Sequence, residues 1–366
     1  MRGHRAAAAG TVLLTLATGA AWAGTWVTDD HSGCLVWDDD PGRGRRVTWT
    51  GPCEDGRAHG EGVVVWIREG REVSTYEGKY WHGKAHGYGV IYLADGDSYQ
   101  GDFVDGEYHG YGIYLRADGD RHEGSYARGY AHGHGIHEYA NGNRYEGGFV
   151  DDEFHGYGVF TWADGDRYEG QFARNKSNGQ GVYVWANGDR YEGDFVDGER
   201  TGRGLFVWPD GERYEGDFVN GKRTGYGLLV SPDGDRYEGR FLDDRMHGYG
   251  VLTLADGGGY EGEFVKDLFH GRGVRTWPDG DRYEGDFTND KRTGRGVYFW
   301  AGGSRYEGDF VAGAASGDGV HRYADGRRYE GRFVDGRPHG VGRCRDEVGN
   351  WGRCEFRDGD FIRWLH

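Results

Sequence analysis

The chain has 366 residues, 73 of them glycine and only 6 proline, with 15% aromatic residues and a formal net charge of −17. Glycine without a Gly-x-y period excludes a collagen-like chain, and the aromatic content excludes a disordered one, which lacks the apolar mass to fold. The acidic balance argues against nucleic acid and anionic lipid as partners, because both require clustered Lys and Arg.

In chain order, Met1–Arg5 carries Arg2 and Arg5, Ala6–Ala20 is apolar, and Ala21-Trp22-Ala23 places small residues at the −3 and −1 positions. This is the pattern of a secretory signal peptide, 1–23, cut near Ala23, and its apolar run is too short to span a bilayer. The mature chain is therefore expected to be exported, periplasmic or secreted, and without Arg2 and Arg5 its charge moves from −17 to −19. Export permits disulfides. The four cysteines form two close pairs without zinc spacing, and proximity favours Cys34–Cys53 and Cys344–Cys354.

Residues 24–75 read as an N-terminal cap with a degenerate repeat, Trp49-Thr50-Gly51 to Trp66, four residues out of register with the units after it. From Tyr76 a 23-residue pattern starts at 76, 99, 122, 145, 168, 191, 214, 237, 260, 283, 306 and 329, so twelve units occupy 76–351. A fixed period of this size marks a repeat array. Residues 352–366 form a C-terminal cap, in which Phe356 extends the phenylalanine column and ends it.

Within one unit, Gly156 to Arg174, Asp164-Gly165 stands between two alternating runs, which predicts a hairpin closed by a two-residue type I′ turn. That turn sets Trp162 opposite Arg167, Thr161 opposite Tyr168, Val159 opposite Gly170 and Tyr157 opposite Phe172. One face then carries Val159, Thr161, Tyr168, Gly170 and Phe172, and the other Phe160, Trp162, Arg167, Glu169 and Gln171. The leading column is Tyr in eleven of twelve units, with His122 the exception, and Gly170 is Gly throughout. A strand glycine marks close approach of another group, so aromatic rings are expected to lie over these glycines and stack along the array. Trp162, Trp185, Trp208, Trp277 and Trp300 each face an Arg, which predicts cation–π pairs. Longer, looser loops such as Val196 to Gly204 join the units. The expected fold is all-β: an elongated single-sheet solenoid of tandem 23-residue hairpins with disulfide-bonded terminal caps. At about 9–10 Å per unit it would be a twisted rod on the order of 110 Å long.

No constellation carries chemistry. His86, His109, His132, His155, His247, His270 and His339 share a loop column with Thr201, Thr224, Thr293, Asn178 and Ser316, which points to hydrogen bonding rather than metal ligation. The column of Glu77, Glu123 and Glu146, with Gln100, reads as a solvated face paired with Arg. Asp164–Asp166 and its equivalents supply too few oxygens per unit for a defined calcium site. No catalytic, cofactor or metal residues are assigned.

The pattern YEGxFxxGxxHGxGxxxxxDGxx resembles the MORN (membrane occupation and recognition nexus) repeat over nearly the whole mature chain, and Cys34 to Trp37 with Trp49, Gly51 and Cys53 resembles the start of exported bacterial members. The resemblance implies an extended hairpin array used mainly for protein–protein contact, including self-association. The expected function is an exported, non-enzymatic scaffold that binds a protein partner or itself through an aromatic face: Tyr145, Phe149, Tyr168, Phe172, Tyr191, Phe195, Tyr214, Phe218, Trp162, Trp185 and Trp208. A glycan or cell-wall module using rows of Trp and Tyr is the alternative, and an envelope or membrane-associated adaptor another. No nucleic acid is expected, and membrane lipid is disfavoured by the charge.

Overall fold

The computed structural model describes residues 24–40 and 44–365, so the leader expected over 1–23 lies outside the described residues. Those residues form strands and turns, with no helix among them. The chain divides into two compact units, one through Glu199 and one from Arg200.

The first unit begins with a small sheet of four short strands, Thr25–Thr28, Leu35–Asp38, Arg57–Ala58 and Cys53–Glu54 in spatial order. The Cys34–Cys53 disulfide ties it together. Gly83 anchors this cap to the array: its carbonyl accepts from Trp37 N and its N–H donates to Ala58 O, both at 2.8 Å. The array of this unit starts at Arg46–Trp49, which pairs with Gly60–Arg68, and runs by antiparallel hairpins to Arg190–Val196. Trp49 is the tyrosine of the degenerate repeat. Its ring lies over Gly51 and Gly62, and its Nε1 donates to Pro52 O at 2.9 Å, as the Tyr76 hydroxyl donates to Lys79 O. The four extra residues lengthen the hairpin of Gly60–Arg68 and Arg71–Trp81, which closes through Glu69 and Gly70 with a bulge beside Trp66.

In the second unit consecutive hairpins run from Glu199–Val207 to Trp351–Arg357, and Cys344–Cys354 joins the strands Gly340–Arg345 and Trp351–Arg357. Both disulfides are those expected. The C-terminal cap holds one strand more than the sequence suggested: past Phe356 the chain turns at Asp358-Gly359 and adds Asp360–Leu365.

The hairpin register differs from expectation by one residue. Phe160 pairs with Tyr168, Val159 with Glu169, Gly158 with Gly170 and Gly156 with Phe172. The cause is the turn. Trp162 N donates to Asp166 O at 2.9 Å and Gly165 N to Trp162 O at 3.0 Å, and Gly165 alone of the loop residues has positive φ, at 99°. This is a three-residue loop, a type I turn followed by a left-handed glycine bulge, rather than a type I′ turn. A one-residue slip turns every side chain of a strand to the other face. The strand Arg167–Ala173 keeps its expected sidedness, but Glu153–Thr161 is reversed. Phe160 therefore joins Tyr168 and Phe172 in the core, while Tyr157 projects outward at 62% exposure.

Type I′ turns do occur, at the joins between repeats where looser loops were expected. Asp151 and Asp152 have φ of 49° and 68° between the paired Val150 and Glu153, and Asn220-Gly221 does the same between Val219 and Lys222. A bulge after each join absorbs the remaining residues.

The slip also removes the expected Trp–Arg pairs. Arg167 Nη2 meets Glu169 Oε2 at 2.5 Å, and Trp162 packs on Phe160 and on Tyr183 of the next repeat. The cations over Trp208 and Trp277 come from other columns, Arg223 for the first and Arg275 and Arg292 for the second.

The core is a ladder of rings. Tyr168 lies over Gly170 and Gly181, and meets Phe172 of its own repeat and Phe195 of the next edge-to-face, each at 5.0 Å. In the second unit Tyr237 treats Phe241 and Phe264 alike, at 5.1 and 5.0 Å. Such pairs contribute roughly 0.5–1.5 kcal/mol beyond their buried area. Tyr99, Tyr145 and Tyr260 also carry a ring stacked face-on, from Tyr108, Phe154 and Phe269 at 3.7–3.9 Å. The last Asp of each Asp-Gly-Asp loop clamps neighbouring repeats: Asp166 accepts from Ala186 N at 2.8 Å and from the Tyr183 hydroxyl at 2.6 Å. Asp281 holds Ala301 N and Tyr298 in the same way. These carboxylates are committed to the fold.

Asp152 makes a comparable bond at a join, accepting from Ala131 N at 2.7 Å, but it is nearly buried, and burial pushes its carboxyl up to about 6. A folded value above the unfolded one, near 3.9, means that the native state loses stability as pH rises from about 4 to about 6. One repeat further on, neutral Asn175 accepts from Phe154 N at 2.8 Å in the equivalent place. Asp152→Asn is therefore expected to stabilise the protein by about 1 kcal/mol at pH 8 and by little at pH 4, measured by urea denaturation at both values.

Candidate interaction surface

Within each unit the residues expected from sequence to form an aromatic binding face share one face of the sheet, but as the core. Tyr145, Phe149, Tyr168, Phe172, Tyr191, Phe195, Tyr214 and Phe218 are all between 0% and 4% exposed. Trp162, Trp185 and Trp208 are half-buried against this face. In the native fold these tyrosines and phenylalanines present no ring to a partner, because each is covered by its neighbours in the ladder. This corrects the expectation, and the one-residue slip explains half of it: the opposite strand adds Phe160 and its equivalents to the same face.

The exposed aromatic side chains lie on the other face, in the column of Tyr157. Tyr88, Tyr111 and Tyr157 in the first unit and Tyr226 and Tyr249 in the second are each more than half exposed. They are held rather than loose. Tyr157 Oη donates to Glu169 Oε1 at 2.5 Å, while Arg167 donates to the other oxygen of that carboxylate. Tyr226 bonds Glu238 at 2.9 Å and Tyr249 bonds Glu261 at 2.6 Å. The bond to the glutamate raises the Tyr157 hydroxyl above its ordinary range, and the same bond together with Arg167 lowers Glu169. In the rows of Tyr111, Tyr157 and Tyr226 the planar ring is fixed by a glutamate that also holds an arginine, with two rotatable angles already restrained, whereas Gln100 bonds Tyr88 and Gly259 stands in the arginine position beside Tyr249. Rigid aromatic groups of this kind provide contact area at low entropic cost.

A signal for this column was present in the sequence. His134, Gln180, Arg203, Arg272, Arg295 and Asp318 occupy the position that Tyr157 holds in its repeat. A column that accepts such polar residues faces water, whereas the Tyr168 column, almost uniformly Tyr, does not.

The remaining columns behave as solvated or loop positions. Glu146, Glu192 and Glu307 pair with Arg144, Arg190 and Arg305 at 2.6–2.8 Å. His132 and His339 approach the turn aspartates of the next repeat, Asp151 at 3.5 Å and Asp358 at 3.3 Å. Among the described residues no group of three His, Cys, Asp or Glu is placed to hold a metal ion. Among them, too, no helix is long and apolar enough to cross a membrane.

The profile of the MORN repeat matches twelve times in succession, at 76–98, 99–121 and onward in 23-residue steps to 283–305, 306–327 and 329–351. No curated protein sequence matches. Among solved structures, the chain is similar to the SAS-4 (dCPAP) TCP domain of Drosophila melanogaster in complex with a proline-rich motif of Ana2, at 16% identity over 41% of this chain and 81% of that one, with a TM-score of 0.28. The TCP10 domain of Danio rerio CPAP with a STIL peptide matches at 14% identity over 75% and 96%, TM-score 0.21. Virginiamycin B lyase from Staphylococcus aureus matches at 11% identity over 84% and 98%, TM-score 0.13.

Proposed function

Since the chain belongs to the MORN-repeat family, we propose that it is an exported, non-catalytic scaffold that docks a protein partner on its exposed tyrosine rows. MORN repeats are interaction scaffolds, and the observation that carries this reading is the set of solvent-facing tyrosines, of which Tyr111, Tyr157 and Tyr226 are each fixed by a Glu–Arg pair. The surplus of acid in the whole chain favours a partner with basic groups, which would meet these glutamates without displacing the tyrosines. Export rests on the leader pattern over 1–23.

A photo-crosslinking residue at position 157 of the full chain tests the reading in the native host. The expected result is a discrete adduct with one polypeptide, whose binding falls at least tenfold in the Tyr111→Ala/Tyr157→Ala variant at unchanged melting temperature, because exposed side chains contribute little to stability. Light scattering separates a second copy of the chain from a different protein. Adducts with glycan alone would replace this reading by the sugar-binding one, and no adduct at all would end it.

A further inference from the structure

The hairpin of Gly340–Arg345 and Trp351–Arg357 reverses the chemistry of the exposed face. The Glu of each of the twelve repeats, or once Gln100, lies across from an aliphatic residue of the neighbouring strand such as Val159 or Val320. In the hairpin of Gly340–Arg345 and Trp351–Arg357 these two positions are Arg343 and Arg353, paired directly across the strands. The position of Arg167 is taken by Trp351, and that of Tyr157 by Val341. Like charges directly opposite one another destabilise a sheet, so this pair works against the fold in the absence of a counter-ion.

Neither arginine is neutralised. Glu330, across from Arg343 on its other side, is paired with Arg328, and Glu355 is paired with Arg363 at 2.9 Å. Arg343 and Arg353 form no ion pair or hydrogen bond among the described residues, and both are exposed. The Arg343 guanidinium lies over the Trp351 ring, its Cζ 4.4 Å from the ring centroid, a cation–π contact that restrains the side chain. Together Val341, Gly342, Arg343, Trp351, Gly352 and Arg353 line a shallow cavity of about 500 Å³, the size of a small-molecule site.

We propose that this cavity binds an oxyanion, a phosphate or carboxylate group, carried on a flat apolar body. The two arginines stand on one face of directly paired strands, and the fork of donors on a guanidinium suits bidentate recognition of such a group. Trp351 and Val341 supply the apolar wall that its carrier would cover. The site is independent of the tyrosine rows, and neither proposal requires the other.

Isothermal titration of the full chain at low salt, with phenyl phosphate, benzoate and inorganic phosphate, tests the proposal. Phenyl phosphate and benzoate are expected to bind, and their ranking identifies the preferred anion. Inorganic phosphate should bind at least threefold more weakly than phenyl phosphate. Arg343→Val/Arg353→Glu installs the residues of the other repeats, so it should fold at least as well as the parent and lose binding tenfold or more. Trp351→Arg, also a residue native to that column, should abolish the advantage of the phenyl carrier while inorganic phosphate still binds. Absence of binding by all three anions, or unchanged binding in the double variant with its fold intact, overturns the site.

Discussion

Gly170→Ala is expected to destabilise the protein by at least about 3 kcal/mol, the upper range for inserting a methyl group into a packed core. A Cβ at this position would stand 2.5 Å from Gly181 Cα and 2.7 Å from Gln180 O, both backbone atoms, and 2.6 Å from the Tyr168 hydroxyl. The tyrosine side chain could swing aside only by leaving the glycine pair, breaking its contacts with Phe172 and Phe195. The backbone could yield only by parting two hydrogen-bonded strands. Because each repeat rests on its neighbours, the loss should also uncouple the repeats on either side, giving a broader denaturation profile rather than a simple shift of the midpoint. Gly156→Ala is the informative control. Its φ is 69°, but nothing lies within 4 Å of the added atom, so only backbone strain opposes it, at roughly 1–2 kcal/mol. Urea denaturation of the two variants, followed by circular dichroism, separates close approach from left-handed geometry as the reason for a glycine. Equal costs would show that the ring-over-glycine contact contributes little.

Acid should weaken the repeat at 122–144 more than its neighbours, through two histidines in the core. His122 stands where the other repeats carry tyrosine, and His137 faces it across the strands, each 2% exposed. None of their four ring nitrogens has a hydrogen-bond partner. Burial, with His137 and Arg121 adding positive charge and Glu123 opposing, holds His122 down to about 3. Burial also lowers His137, against the pull of Asp120, whose carboxylate is 3.8 Å from its Nε2, while Arg116 reinforces the fall. Phe149 and Tyr126 close over the His122 ring. A folded value below the unfolded 6.5 means that stability is complete above about pH 6.5 and is lost as pH falls toward 3. For His122 the loss is on the order of 4 kcal/mol. His122→Tyr restores the residue of the other repeats, whose hydroxyl reaches a carbonyl as Tyr145 reaches Gly148 O at 2.9 Å. It should raise stability at pH 7 by about 1 kcal/mol, by removing two unpaired buried nitrogens, and flatten the acid limb. Hydrogen exchange at pH 7 and pH 4.5 would locate the effect. Uniform loss of protection along the array at pH 4.5 would assign the acid sensitivity elsewhere.

The period, the repeat boundaries and the paired cysteines were legible because they are one-dimensional facts: identical residues recur at a fixed interval, and near neighbours in a short cap are within reach of each other. The glycine column was legible for a related reason, since a residue without Cβ at every turn of a repeat has to be making room for something. The sidedness of Arg167–Ala173 came from strict alternation and held. That of Glu153–Thr161 did not, because alternation fixes the faces of a strand only relative to its partner, and the partner's register depends on whether Asp164-Gly165 closes two residues or three. Both turns satisfy the same dipeptide. The three-residue closure forms alike before Asp166, Gly258 and Arg327, and it puts Phe160 on the face of Tyr168 and Phe172, where Trp162 packs on Phe160 and on Tyr183 of the next repeat. Those contacts exist only once repeats are stacked, so no reading of a single hairpin contains them. The same slip decides which aromatics are core and which meet solvent, and it makes Tyr157 rather than Tyr168 an exposed ring. Composition and spacing therefore settle the class of fold and the unit it is built from, whereas which side chains meet solvent is settled between repeats, where a shift of one residue along a strand exchanges inside for outside.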